Sequence, residues 1–171
     1  MFTTSYDRAR SLARAALSTE EPIAVIAAYP DPKKGLGAER HGWMSGTGFD
    51  HLRELGVPTD DAVATWAGYC RPGEEDDDEA EPWIHRAVKL SWDQADILLW
   101  NQVAQDLGVA PRAPVKSKLV DLGRGLSVDA YDDRGMDITA LTKATIARLY
   151  EQFDEWLLDY DRDRMKEAFE H

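Results

Sequence analysis

The stretch that most restricts the fold is Asp132-Asp133-Arg134-Gly135, because it places turn chemistry between two segments of strand-like alternation. Asp side chains bond nearby backbone N–H groups, and Gly accepts positive φ at little steric cost. Before the turn, Leu126, Val128 and Ala130 fall on one face and Ser127, Asp129 and Tyr131 on the other, while Met136 and Ile138 begin a return strand. The pattern predicts a β-hairpin with Asp129, Asp132, Asp133 and Asp137 crowded about its tip.

Downstream, Ile146, Leu149, Tyr150, Phe153, Trp156, Leu157 and Tyr160 recur at three- and four-residue spacing, with Arg148, Glu151, Gln152, Glu155 and Asp159 between them. That periodicity predicts one amphipathic helix of about four turns or more. Asp161 is placed to cap a last short helix over residues 162–170, whose Met165 and Phe169 form an i,i+4 apolar pair.

Tyr131 to Asp137 (YDDRGMD), Leu149-Tyr150, Trp156 to Arg162 (WLLDYDR) and Phe169 together resemble the C-terminal motif of a bacterial family catalogued as domain of unknown function 3885, named for its YDDRG signature. The specific likeness spans residues 131–169, and the order of strands and helices upstream is similar. The resemblance marks Tyr131, Asp132, Asp133, Arg134, Gly135, Asp137, Trp156, Asp159, Tyr160, Asp161 and Arg162 as a structural motif. It implies a fold and brings no catalytic residue with it.

A chain of 171 residues with 43% hydrophobic content can bury one well-formed core, and no linker divides it, so a single domain over residues 1–171 is expected. There is no long apolar leader, no run of about 18 apolar residues, and one cysteine, Cys70, which excludes an intrachain disulfide framework. These features predict a cytoplasmic protein that does not span a membrane.

The formal charge of −12 is unevenly placed. Residues 74–82 hold seven acids and no base, and residues 129–171 hold twelve acids against six Lys and Arg, leaving the remainder nearly neutral. Such blocks repel a phosphate backbone, so nucleic-acid binding is not expected.

Upstream, residues 5–17 carry a helical stripe of Tyr6, Ala9, Leu12, Ala13, Ala16 and Leu17. The apolar run Ile23-Ala24-Val25-Ile26-Ala27-Ala28-Tyr29 suits a central strand covered on both faces. Lys33-Lys34-Gly35-Leu36-Gly37 is only superficially like a phosphate loop, lacking the closing Gly-Lys-Ser/Thr. His41 and His51 have no metal-ligand spacing and suit surface or cap positions. Residues 49–55 predict a short helix ending at Gly56, and residues 63–70 and 83–90 predict two strands forming a wide hairpin. The acidic run between them, Glu74-Glu75-Asp76-Asp77-Asp78-Glu79, is expected not to fold on itself because adjacent like charges repel.

Ser91-Trp92-Asp93-Gln94 reads as a capping box for a helix closed by Leu107-Gly108, apolar on two stripes and therefore deep against a sheet. Pro111 and Pro114 direct a crossing into a strand over residues 118–122, which turns through Gly123-Arg124-Gly125 into the hairpin. The sum is an α+β fold, a mainly antiparallel sheet of about five or six strands with helices mainly on one face.

No Gly-x-Ser-x-Gly elbow occurs, and Cys70 has no local activating base, which argues against nucleophilic catalysis. The expected role is binding of a basic protein partner through the acidic surfaces, as an immunity or antitoxin-like protein neutralises a cationic toxin or nuclease, with Glu74, Glu75, Asp76, Asp77, Asp78 and Glu79 as contact residues and no metal or cofactor. One alternative is a metal-dependent phosphoryl-transfer or nuclease-like enzyme. It would use Asp129, Asp132, Asp133 and Asp159 or Asp161 as ligands and Arg134 toward a phosphate. A regulatory scaffold is the other alternative. The motif carboxylates also have a purely structural explanation, in which Asp132 and Asp133 cap the turn and a half-buried Arg134 pairs with Asp159 or Asp161.

Overall fold

In the computed structural model, residues 2–29, 47–69, 73–76 and 81–170 are described. The expected features at Lys33 to Gly37, His41, Cys70 and Asp77 to Glu79 lie outside them. In chain order the elements are α1 (Phe2–Ala16), β1 (Ile23–Ala28), α2 (Gly48–Glu54), β2 (Ala64–Gly68), β3 (Trp83–Lys89), α3 (Trp92–Leu107), β4 (Lys116–Asp121), β5 (Leu126–Ala130), β6 (Met136–Ala140), α4 (Lys143–Gln152) and α5 (Asp159–Phe169). The architecture is α+β, as the alternation and helical stripes require.

The six strands form one sheet in the order β2-β3-β1-β4-β5-β6, and every neighbouring pair is antiparallel. Register places Val88, Ala24, Leu119, Val128 and Ile138 in one row across five strands. This is the inner face, and α1, α2 and α3 pack on it through Ala9, Ala13, Ala16, Phe49, Leu52, Ala95, Leu98 and Leu99. Three alanines on α1 let that helix approach α3 and the sheet closely, with Ala13 and Ala16 fully buried.

Expectation and structure differ at β1. Ala24, Ile26 and Ala28 are fully buried, yet Ile23 and Val25 are only half-buried on the other face, beside Lys89, Ala87 and Lys118. An antiparallel sheet can leave one face partly wet, so a continuous apolar run does not require helices on both sides.

The Ser91 box forms as expected: its hydroxyl accepts from Gln94 N–H at 3.3 Å while Ser91 N–H donates to Gln94 Oε1 at 3.0 Å. Gly108 closes α3 in the left-handed region at φ 67°. The helix carries polar groups inward as well. Asn101 brackets Ala113 through both backbone groups, and Gln102 and Gln105 bond Ser117 and Val115, so α3 stitches down the crossing that leads into β4.

The largest departure is in the C-terminal quarter. The single long helix divides into α4, a 3-10 turn at Asp154–Trp156, an extended step through Leu157 and Leu158, and α5. Asp161 does not cap α5. It lies in the first turn, whose N-cap is Leu158, and pairs with Arg164 at 3.1 Å.

Candidate functional site

The hairpin forms with Ala130 opposite Met136 and Val128 opposite Ile138, so Asp132 to Gly135 make the connection. Asp132 is the residue that shapes it. Its Oδ1 accepts the Arg134 N–H at 2.7 Å and the Gly135 N–H at 3.2 Å, and its Oδ2 accepts Arg134 Nε at 2.9 Å. Burial works to raise its pKa, but the bonds from the Arg134 side chain and backbone and from Gly135 outweigh it and hold the carboxyl below the ordinary range.

Arg134 is therefore held by its own turn, and its side chain is 77% exposed rather than half-buried against the C-terminal helix. Asp159, the other expected partner, is fully exposed at the start of α5. A two-residue separation closes at almost no loop entropy, and so a local carboxylate outcompetes a distant one. Gly135 does not take the positive φ that its residue type allows, and its place is one of close side-chain approach. A Cβ there would come within 2.6 Å of Tyr131 Oη and 3.1 Å of Leu158, because the Tyr131 side chain and Leu158 close over the turn.

Around this turn the acids separate into two groups. Asp132 is committed to the backbone, and Asp133 is half-buried beside it. Asp129 and Asp137 stand directly opposite each other in the register, where like charges repel, and Lys118 Nζ reaches Asp129 at 2.9 Å. Burial, then the neighbouring Asp129 and Asp161, push the Asp137 carboxyl above its ordinary pKa. Tyr131 is likewise raised, first by burial and then by Asp137, Asp132 and Asp161. Among the described residues no three His, Cys, Asp or Glu side chains are grouped to hold a metal ion, and the ligand set drawn for the phosphoryl-transfer alternative is dispersed between the turn, the strand pair and the start of α5.

Trp156 and Arg162 hold the C-terminal segment rather than presenting chemistry. Trp156 lies 5.1 Å from the Phe153 ring, with the Arg8 guanidinium of α1 5.3 Å from its own ring. Arg162 donates to Asp154 Oδ1 at 3.0 Å, to Asp154 O at 2.9 Å and to Leu157 O at 3.3 Å, satisfying carbonyls freed where the helix breaks. Tyr160 is 92% exposed. Between α4, α5 and β6 lies a half-open cavity of about 160 Å³ that sequence reasoning missed, with Asp137 and Asp161 among otherwise largely apolar walls.

In the upstream acidic run, Glu74–Asp76 form a short 3-10 turn, which local bonding allows despite the repulsion: Asp76 N–H reaches Gly73 O at 3.2 Å and Glu75 Oε2 accepts Gly73 N–H at 3.1 Å. Glu75 and Asp76 are exposed.

A family model described as Domain of unknown function (DUF3885) matches residues 1–161. The chain belongs to this family. The match runs from α1 through the sheet and both halves of the hairpin to the first turn of α5, so family membership rests on the entire α+β unit rather than on the C-terminal motif alone. Arg162 and Phe169 lie beyond it. No curated protein and no solved structure matches the chain significantly. No helix among the described residues is long and apolar enough to cross a membrane.

Proposed function

We propose that this member of the family is a protein-binding domain that docks a basic protein partner in the cytoplasm, in the manner of an immunity or antitoxin-like protein, with the Tyr131 to Gly135 turn as the family's signature. The observation that carries the reading is a pair of carboxylates, half-buried Asp129 and exposed Asp137, directly opposite each other in the register, with Asp161 adding to the repulsion that raises the Asp137 pKa. A fold that keeps mutually repelling carboxylates at a surface gains when a cation arrives. Lys or Arg side chains of a partner are suited to that role.

The surroundings support the reading. Tyr131, Leu158 and Tyr160 are 45%, 43% and 92% exposed, and two of the three are tyrosines, a residue type enriched among interface anchors. Glu75 and Asp76 add a second anionic surface, and a net charge of −12 steers a cationic protein toward both.

The test is affinity capture from the native host, followed by association kinetics of the captured protein at two ionic strengths. Wild type is compared with Asp137→Asn/Asp161→Asn and with a variant carrying Ser at Glu75, Asp76, Asp77 and Asp78. Steering acts within a Debye length of about 8 Å at physiological salt, so the variants and added salt should slow association more than they speed dissociation. Association equally fast for all three proteins would overturn the reading. So would a purified protein that turns over a substrate and captures nothing.

A further inference from the structure

β2 is an outermost strand of the sheet, and the register fixes which of its backbone groups are left over. Leu90 N–H bonds Pro22 O at 2.9 Å, extending the β1–β3 ladder, so Val88, Arg86 and Ile84 turn their backbone groups toward β1. Those of Ala87, His85 and Trp83 then face β2, where they meet Ala64, Trp66 and Gly68. Thr65 and Ala67 are left with their N–H and C=O groups directed away from the sheet, without a backbone partner among the described residues. The open stretch starts there because Val63 N–H, just before it, is taken by Ala87 O at 2.8 Å.

Natural sheets blunt such an edge with charge. The opposite edge does so, since β6 carries Asp137. β2 does not. No charged residue occurs from Ala62 to Cys70, and Val63, Trp66 and Tyr69 are 60%, 42% and 37% exposed. Trp66 is held by its stack on His85, with ring centres 5.3 Å apart. Because its backbone bonds toward β3, a residue opposite Trp66 across the open edge falls in a non-hydrogen-bonded pair, the arrangement in which cross-strand side chains come closest. Charge lies at the two ends: exposed Asp61 precedes the strand, and exposed Glu75 and Asp76 sit in the connection that leaves it. A second copy of this chain would set acid against acid at both ends, because two-fold antiparallel pairing brings the start of one β2 beside the end of the other. A strand with an uncharged middle and basic ends meets both features.

We propose that β2 is a docking edge for an extended segment of a protein partner, with β-branched or other apolar residues against Trp66, Lys or Arg at its ends, and backbone pairing to Thr65 and Ala67. The proposal deepens the partner reading and rests on it for the source of the segment. Main-chain bonds impose the strand geometry, and the end charges select a basic segment.

The probe is a terminally blocked synthetic peptide of alternating Val and Thr with Lys at both ends, titrated into the full chain and followed by calorimetry and by NMR of the backbone amides. A dissociation constant between about 10 µM and 1 mM is expected. Shifts should centre on Thr65 to Tyr69, and hydrogen exchange of the Thr65 and Ala67 amides should slow, which charge attraction alone does not produce. Replacing the peptide's Thr by Pro, which keeps the charges and removes donors, or its Lys by Glu, should each weaken binding about tenfold or more. Ala67→Pro removes an outward N–H and spares the β2–β3 ladder, so it should fold, with the Trp66 and His85 signals in place, and weaken the peptide to a similar degree. No saturation by about 5 mM peptide, equal binding of the Pro peptide, or shifts that map to the hairpin tip would overturn the proposal. So would slowed exchange of the same amides on raising the protein concentration alone, which would give the edge to a second copy. Peptide pairing on β2 with no partner captured from the host removes the docking of a basic protein and leaves the strand site. A captured partner that Ala67→Pro binds as tightly as wild type, with no peptide binding, removes the strand site alone.

Discussion

Replacing Asp132 by Ala removes the acceptor of two backbone N–H groups and of the Arg134 side chain, in a residue that is 9% exposed. Hydrogen bonds to a charged acceptor are worth about 1.5–3 kcal/mol, and losing a comparable capping side chain costs about 0.5–2 kcal/mol. The Arg134 guanidinium is largely in water, so its ion pair adds no more than about 1 kcal/mol. These terms overlap, and the expected cost of Asp132→Ala is about 2–3 kcal/mol, or roughly 5–10 °C in melting temperature for a domain of this size. Asp132→Asn keeps an acceptor for the backbone and should cost about half as much, while Arg134→Ala should cost less than about 1 kcal/mol.

The assay is urea unfolding of the four proteins at neutral pH and again at acid pH. Because Asp132 has a folded-state pKa below its unfolded value, its ionic contribution is complete above the unfolded pKa of about 3.9 and drains away as pH falls through the lower folded value. The gap between wild type and Asp132→Asn should close in that window. If Arg134→Ala is as damaging as Asp132→Ala, or if Asn is no better than Ala at position 132, then the turn is not held by backbone capping and the argument fails.

Two further outcomes follow from the perturbed carboxylates Asp96 and Asp137. Asp96 receives Arg14 on both oxygens at 2.7 and 2.8 Å and Arg10 Nε at 3.0 Å, bonds that outweigh its burial and lower its pKa, so Asp96→Ala should loosen α1 from α3 at a cost of about 2–4 kcal/mol by chemical denaturation. An effect below about 0.5 kcal/mol would show that the clamp is idle. Asp137 has a raised folded pKa, so its ionised form opposes folding above that value and the opposition fades as pH falls through it toward the ordinary carboxyl range. Asp137→Asn should accordingly raise the melting temperature at pH 7, with the gain shrinking on mild acidification; a lower melting temperature at pH 7 would contradict the repulsion.

What was legible in the chain is what short sequence separations specify. The Asp132 turn, the Ser91 and Gln94 box and the left-handed Gly108 each join residues two to four apart, where few competing conformations exist, and each formed where its residue types pointed. The alternation of Leu126, Val128 and Ala130 likewise named the inner face, because a strand has only two. The same economy accounts for the error at Arg134, where a buried carboxylate two residues away prevailed over a more distant one and left the guanidinium exposed.

The apolar spacing from Ile146 to Tyr160 is continuous, with no Pro or Gly to mark a stop, and so the sequence pattern alone runs through as one helix. Only the return of α5 onto Tyr150, and the carbonyls that Arg162 can satisfy, favour the break at Leu157 and Leu158; the cavity beside β6 follows from that break. The Asp96 clamp is hidden for a related reason, since its partners are 86 and 82 residues away and any of the chain's 20 Lys and Arg residues could have supplied them. Periodicity and turn chemistry are local properties and fixed the elements, whereas the pairing of charges and the space left between helices depend on which surfaces meet, and only the folded chain decides that.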